Sequence, residues 1–198
     1  MDTNYKYDKI QVCGHPRSGT HYIAALVCKN FFNTKDGSYL ECYGTHKTGD
    51  TIKIRPNILY VYVERRFQDV VKSFYVIRHR FGIPDEISFE EFFKSKYSNM
   101  WTRNVGKFKI KINTGDKDTY NTNVCNLFRD ITMAPRAYWE HHINTWIKAR
   151  SKHNNIVIIS YNKTLLNMNY SMRKVANCLG SDKTEFIDVK DKVGWIPQ

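Results

Sequence analysis

Acidic side chains are scarce in this chain: 19 Asp and Glu stand against 31 Lys and Arg among 198 residues, a formal net charge of +12 at pH 7. The pI is about 9.5. That imbalance points to an anionic partner, and nucleic acid, an anionic membrane surface, an acidic macromolecule and a polyphosphorylated small molecule satisfy it equally well. Long apolar runs are missing too. No segment approaches the roughly 18 consecutive apolar residues that cross a bilayer, and the opening MDTNYKYDKIQVCG has no apolar stretch of signal-peptide length. The chain therefore reads as soluble and cytoplasmic. The cysteines, Cys13, Cys28, Cys42, Cys125 and Cys178, are an odd set with no C-x-x-C pair. That argues against a disulfide framework or a structural zinc site and for a reducing compartment. The sequons at Asn162 and Asn169 would matter only in an exported chain. There is no internal repeat.

What is present is the composition of a folded protein, with 41% apolar, 14% aromatic and 25% charged residues. The length suits one domain, 1–198, with a sizeable core. KIQVCG at 9–14 is a short apolar run that stops at a Gly/Pro-punctuated loop, and 20–32 carries apolar residues at helical spacing. Strands are expected at 38–43, at ILYVYVE (58–64) and at NIVIISY (155–161). Phe67, Val70, Val71, Phe74, Ile77 and Phe81 form the stripe of a core-facing helix ended by Gly82 and Pro84. Ser88 and Glu91 make a capping box for a helix over FEEFFKSKY. Pro135 suits the first turn of a helix over 135–152, and a last helix runs to Leu179-Gly180. From about 98 to 133 periodicity fades into an irregular basic lobe. Between Lys94 and Ile112 lie Lys94, Lys96, Arg103, Lys107, Lys109 and Lys111 without one acid. Strands alternating with helices predict an α/β fold, a three-layer domain with a central, mainly parallel sheet.

Ligands of open parallel sheets bind at the carboxyl ends of strands, so the loop after the first strand is the place to look for an anion site. It reads Gly14-His15-Pro16-Arg17-Ser18-Gly19-Thr20-His21. Gly14 and Gly19 keep the offset of a P-loop, in which backbone N–H groups and a helix start surround phosphates. Thr20 stands where that motif has its lysine and His21 where it has the magnesium-binding hydroxyl, which disfavours an ordinary nucleoside triphosphatase. Fixed positive charge sits inside the loop at Arg17, flanked by the hydroxyls of Ser18 and Thr20. Such a loop suits a phosphate-like group without a metal ion.

PRSGTH at 16–21, followed by Tyr22, resembles the 5′-phosphosulfate loop of the sulfotransferases that use 3′-phosphoadenosine 5′-phosphosulfate (PAPS). YVERRFQDVVKSFY at 62–75 is similar to that family's 3′-phosphate segment, an arginine ending a strand and a serine eight residues later on the next helix. Arg65 and Ser73 fill those places, a permanent charged donor and a hydroxyl two turns along, while Phe67 stands where the family has proline. Between the two, Gly44-Thr45-His46-Lys47 lies where cytosolic members have a lysine, a small hydroxyl residue and the histidine general base. His46 takes the base position; Gly44 replaces the lysine, and Lys47 is the nearest substitute. Trp139, Glu140, His141, His142 and Trp146 resemble a structural helix of the family, Tyr161 its tyrosine near the adenine, with Asn162 for the usual acid. Lys190, Lys192, Gly194 and Trp195 resemble the tail that closes over the 3′-phosphate.

The resemblance implies sulfuryl transfer from PAPS, without a metal, leaving adenosine 3′,5′-bisphosphate (PAP). It implies His46 and Arg17 as catalytic residues, and Arg17, Ser18, Gly19, Thr20, His21, Tyr22, Arg65, Ser73, Tyr161 and Lys192 as the nucleotide's contacts. Tyr22 equally reads as an adenine platform and as a core aromatic of the first helix. Arginine at position 17 is closer to Golgi tyrosylprotein and carbohydrate sulfotransferases, and the histidine to cytosolic ones, so small-molecule, carbohydrate and peptide acceptors all stay open. The six basic residues from Lys94 to Lys111 are without a partner, and an acidic acceptor is the natural match. Two other readings stand beside this one: a P-loop nucleotide kinase binding ATP with magnesium, and a non-catalytic nucleic-acid-binding module, for which no recognised motif is present.

Overall fold

The computed structural model describes residues 5–32, 42, 44–100, 110–113, 118–121 and 129–189. The strand that the sequence marks most strongly forms the middle of the sheet. β2 (Ile58–Glu64) pairs in parallel with β1 (Lys9–Gly14) on one side and with β5 (Ile156–Ser160) on the other. Leu59, Val61 and Val63 face one side of the sheet, against α1 (Thr20–Val27) and α7 (Met168–Leu179). Ile58, Tyr60 and Tyr62 face the other, against Trp146 and Ala149 of α5 (Pro135–Arg150). A strand covered on both faces has no solvent side to alternate with, which is why it reads as a continuous apolar run. The result is the expected three layers.

On the outer edge of β1, the Val12 N–H donates to the Cys42 carbonyl (2.7 Å) and the Gly44 N–H to the Val12 carbonyl (2.9 Å). The strand expected at 38–43 lies outside the described residues except at Cys42. A second apolar cluster joins Val71 and Phe74 of α2 (Phe67–Val76) to Phe92 of α3 (Phe89–Lys94), Tyr97 and Met100 of α4 (Tyr97–Met100), and Tyr138 of α5.

Five expectations are corrected. The helix carrying the stripe from Phe67 to Phe81 ends at Val76, and Arg78–Phe81 forms a separate 3₁₀ turn before Gly82. The helix at 20–32 changes at Cys28 into a π-helical turn, Cys28–Phe32. Ser88 caps the helix, its Oγ accepting from Glu91 N at 3.1 Å, but the helix stops at Lys94. Beyond extended Ser95, the backbone N–H groups of Tyr97 and Ser98 are taken by the carbonyls of Met133 and Ile131. The last helix is two, α6 (Tyr161–Leu166) and α7, separated by Asn167, whose side chain caps α7 by accepting from Tyr170 N at 3.0 Å. The basic lobe is not wholly irregular: β3 (Ile110–Asn113) and β4 (Asp118–Asn121) pair antiparallel, with Lys111 opposite Tyr120. The alternation of Lys and hydrophobic residues in KFKIKI carried that period-two signal. Within the same lobe Lys94 has a partner after all, Glu90 one turn earlier at 2.5 Å; both groups are exposed, so the pair adds little stability. Arg103, Lys107 and Lys109 lie outside the described residues.

Candidate functional site

The loop after β1 turns on two left-handed residues, Arg17 (φ 69) and Gly19 (φ 92). A Cβ on Gly19 would collide with the ring of Tyr161, the first residue of α6, so only glycine lets the loop pass under that ring. Arg17 adopts the same region at a cost of about 1–2 kcal/mol and is held there from two sides. Its carbonyl accepts from Arg65 Nη1 at 3.0 Å, and its Nε donates to Ser73 Oγ at 3.0 Å. The strand tip, the following helix and the loop are thereby tied together, and the Arg65 guanidinium lies 4.8 Å over the Tyr161 ring. α1 begins straight after the loop with no side-chain cap and no acid in its first turn, so the positive end of its dipole faces the loop.

The donors fit such a group. Ser18 Oγ and Arg65 Nε are buried with no hydrogen-bond partner among the described residues. Buried polar atoms are seldom left so, and both belong to the resemblance's phosphate contacts. Thr20 is buried at the head of α1. His21, partly buried one residue on, is pushed down to about 3 by burial, His46 and Arg17. Tyr22 packs on the first core cluster, meets Tyr161 edge-on at 6.0 Å and donates to Asp188 Oδ1 at 3.0 Å.

His46 is brought to the same strand end. Its Nδ1 lies 2.7 Å from the Gly14 carbonyl, and the Gly14 N–H donates to the Thr45 carbonyl at 3.3 Å. Nδ1 therefore carries the proton and Nε2 the lone pair. Burial holds His46 below the usual imidazole range, opposed by the Gly14 bond and aided by a smaller contribution from Arg17. Beside it opens a cleft of about 290 Å³ whose walls include Lys47, Thr48, Thr51, Asp130, Thr132 and Tyr138.

Arg17, Ser18, Gly19, Thr20, His21, Tyr22, Arg65, Ser73, Tyr161 and His46 thus gather at the carboxyl ends of β1, β2 and β5. Lys192, with Lys190, Gly194 and Trp195, lies outside the described residues. Sequence reasoning missed how α5 serves the site. Trp139 Nε1 donates to the Arg65 carbonyl (3.1 Å), His142 Nε2 to the His46 carbonyl (3.0 Å) and Trp146 Nε1 to the Lys47 carbonyl (3.1 Å). Their spacing of three and four residues, polar-tipped rings on one helical face, was the available signal. Asn162, where the family has an acid, donates to Asp69 Oδ2 at 2.9 Å and accepts from Arg66 N at 3.3 Å, tying α6 to α2. Among the described residues no group of three or more His, Cys, Asp or Glu is placed to hold a metal ion, and no helix is long and apolar enough to cross a membrane.

A family model for the sulfotransferase domain matches residues 40–192. Among solved structures, the fold is similar to mouse sulfotransferase SULT7A1 complexed with PAP, with a TM-score of 0.53 and 16% identity over 90% of this chain and 60% of that one. It is also similar to retinol dehydratase in a complex with retinol and PAP, with a TM-score of 0.54 and 13% identity over 88% of this chain and 60% of that one. The chain spans about 60% of the length of each, and at these identities the likeness is one of fold. No curated protein sequence matches.

Proposed function

The chain belongs to the sulfotransferase domain family, and on that premise we propose that it moves the sulfuryl group of PAPS to an acceptor hydroxyl or amine, releasing PAP. The observation that carries the nucleotide assignment is the pair of orphaned buried donors, Ser18 Oγ and Arg65 Nε, on either side of the glycine-bounded loop. Arg17, Ser18, the loop N–H groups and the head of α1, with Thr20 and His21, hold the 5′-phosphosulfate. Arg65 and Ser73 take the 3′-phosphate, with Lys192 of the tail joining them, and Tyr161 and Tyr22 flank the base. Residues 1–198 act as one sulfotransferase-like domain.

In the reaction the acceptor oxygen or nitrogen bonds to sulfur as the bond from sulfur to the bridging phosphate oxygen breaks. The acceptor proton passes to Nε2 of His46, a general-base role worth about 10²–10⁴ in rate. The electron pair of the broken bond leaves on phosphate oxygen, where Arg17 stabilises it by charge and hydrogen bonds; an arginine does not give up a proton at ordinary pH. The acceptor enters the cleft beside His46. Its lining is mixed, with threonines and Asp130 beside Ile131, Met133 and Tyr138, so hydroxylated and apolar acceptors alike fit its chemistry.

Thermal-shift titration tests the nucleotide assignment. PAP at about 100 times its Kd should stabilise the protein by about 3 kcal/mol, with no shift from ATP plus magnesium or from a random oligonucleotide. Stabilisation by ATP plus magnesium alone would favour the kinase reading, and by the oligonucleotide alone the binding module. Arg65→Ala should abolish discrimination between PAP and adenosine 5′-monophosphate, and His46→Ala should stop PAP formation from PAPS while PAP still binds.

A further inference from the structure

We propose that His142 is the positioning residue of the base loop: anchored at Nδ1 by the Tyr62 hydroxyl, it fixes the backbone of His46 through Nε2 and so aims the imidazole. The inference rests on the reading of His46 as the base. His142 is fully buried in the middle of α5. Its Nε2 lies 3.0 Å from the His46 carbonyl and its Nδ1 3.0 Å from the Tyr62 hydroxyl. A carbonyl can only accept, so Nε2 carries the proton; Nδ1 then has a lone pair and the Tyr62 O–H donates to it. The opposite tautomer would set a lone pair against the carbonyl and leave that carbonyl unsatisfied.

The arrangement is rigid at both ends. Tyr62 belongs to the central strand and its ring stacks on His142, centroids 5.6 Å apart and 25° between planes. Tyr62 also stacks on Trp146 at 5.1 Å, and Trp146 holds the next carbonyl of the loop, Lys47. Between them Thr145 Oγ1 accepts from the Gly49 N–H at 3.0 Å. Three neighbouring side chains of α5 therefore clamp the backbone of residues 46–49. His46 is fixed a second time, through its ring, to the last carbonyl of β1. The base and the phosphosulfate loop thus share one anchor at Gly14, and α5 closes the other side.

Positioning of this kind predicts an effect on turnover and on the ring of His46, with nucleotide binding spared. Two-bond ¹H–¹⁵N spectra read histidine tautomers directly: in the wild type His142 should be the Nε2–H form and His46 the Nδ1–H form. His142→Leu removes the donor, and His142→Gln restores an N–H at the Nε2 distance. The Leu variant should lose the slowly exchanging Nδ1–H signal of His46. Its kcat for PAP formation from PAPS with 4-nitrophenol should fall by about 10²-fold, with the thermal shift by PAP retained. The Gln variant should recover most of both. Tyr62→Phe keeps the ring and carries the test if the Leu variant does not fold: His142 should keep the Nε2–H form that the His46 carbonyl demands but lose the bond that anchors Nδ1, with lower kcat at unchanged KM for PAPS. A wild-type His46 in the Nε2–H form, wild-type kcat in His142→Leu, or a Gln variant as impaired as Leu would each overturn the proposal; in Tyr62→Phe, an unchanged kcat would do the same. Full activity in His46→Ala would instead sink the base reading itself, whatever the tautomers.

Discussion

Gly19 and Gly180 are both left-handed, at φ 92 and φ 72, but only one of them has a neighbour. A methyl group on Gly19 would run into the Tyr161 ring, while around Gly180, the C-cap of α7, nothing lies within 4 Å. The two alanine variants separate conformational strain from site geometry. Gly180→Ala should cost about 1–2 kcal/mol in urea denaturation, the left-handed penalty alone, and leave the PAP thermal shift intact. Gly19→Ala should cost more and lose the PAP shift, because Tyr161 and the guanidinium of Arg65 stacked on it have to move. Equal effects of the two on PAP binding would contradict the packing argument. At this scale the sequence was informative where spacing carries meaning: Arg17, Arg65 and Ser73, singled out by their motifs, are joined by hydrogen bonds. It was silent on His142, whose role depends on which carbonyl lies across the helix interface, a distance of 96 residues along the chain.

Among the elements, the segment 181–189 after α7 shows how a local irregularity positions a distant piece of chain. Asn30, buried in the π-helical turn, uses its amide to hold both backbone groups of Ile187: Nδ2 donates to the carbonyl at 2.9 Å and Oδ1 accepts from the N–H at 2.8 Å. Lys183 Nζ donates to the Asn30 carbonyl at 2.7 Å, and Phe186 packs on Phe31 at 6.0 Å. The segment is thus strapped along α1 and delivered to Asp188, the acceptor of Tyr22 at the site. Asn30→Ala removes two part-buried hydrogen bonds to the backbone of Ile187 and, at about 0.5–1.5 kcal/mol for each, should lower stability by about 1–3 kcal/mol. Limited proteolysis should then cut within 181–189 faster than in the wild type; an unchanged cleavage rate would show that the aromatic contact alone suffices. The apolar spacing of 20–32 predicted one helix because a π-turn keeps the same residues apolar. What it changes is the direction of Asn30, which periodicity does not report. The hairpin of β3 and β4 was legible in principle, but its short strands, IKIN and DTYN, were outweighed by the surrounding Asn, Thr and Gly.

For the molecule as a whole, the excess of +12 divides into parts with different physics. Lys148 and Arg150 sit in the last turn of α5, where they complement its dipole, and Lys94 is paired with Glu90. Arg17 and Arg65 converge on one loop. Around them lie histidines that the fold keeps neutral, mainly through burial: His15 well below its usual value, His142 near 4, His21 near 3, and His46 lowered. Above about pH 6.5, the unperturbed imidazole value, these rings are neutral in the folded and unfolded chain alike and give stability no pH dependence. Below it the unfolded chain takes up protons that the folded chain refuses, so stability falls with falling pH until the folded values are reached. Each fully buried ring contributes roughly 1 kcal/mol per pH unit in that window. A bound polyanion works against this loss. Placed beside His21 and His46, it raises their proton affinity, so binding is accompanied by proton uptake and strengthens with acidification. Melting temperatures at pH 7.5 and 5.5 should therefore show the unliganded protein losing stability while the increment added by PAP grows. An increment that shrinks at the lower pH would place the nucleotide's phosphates away from these two histidines.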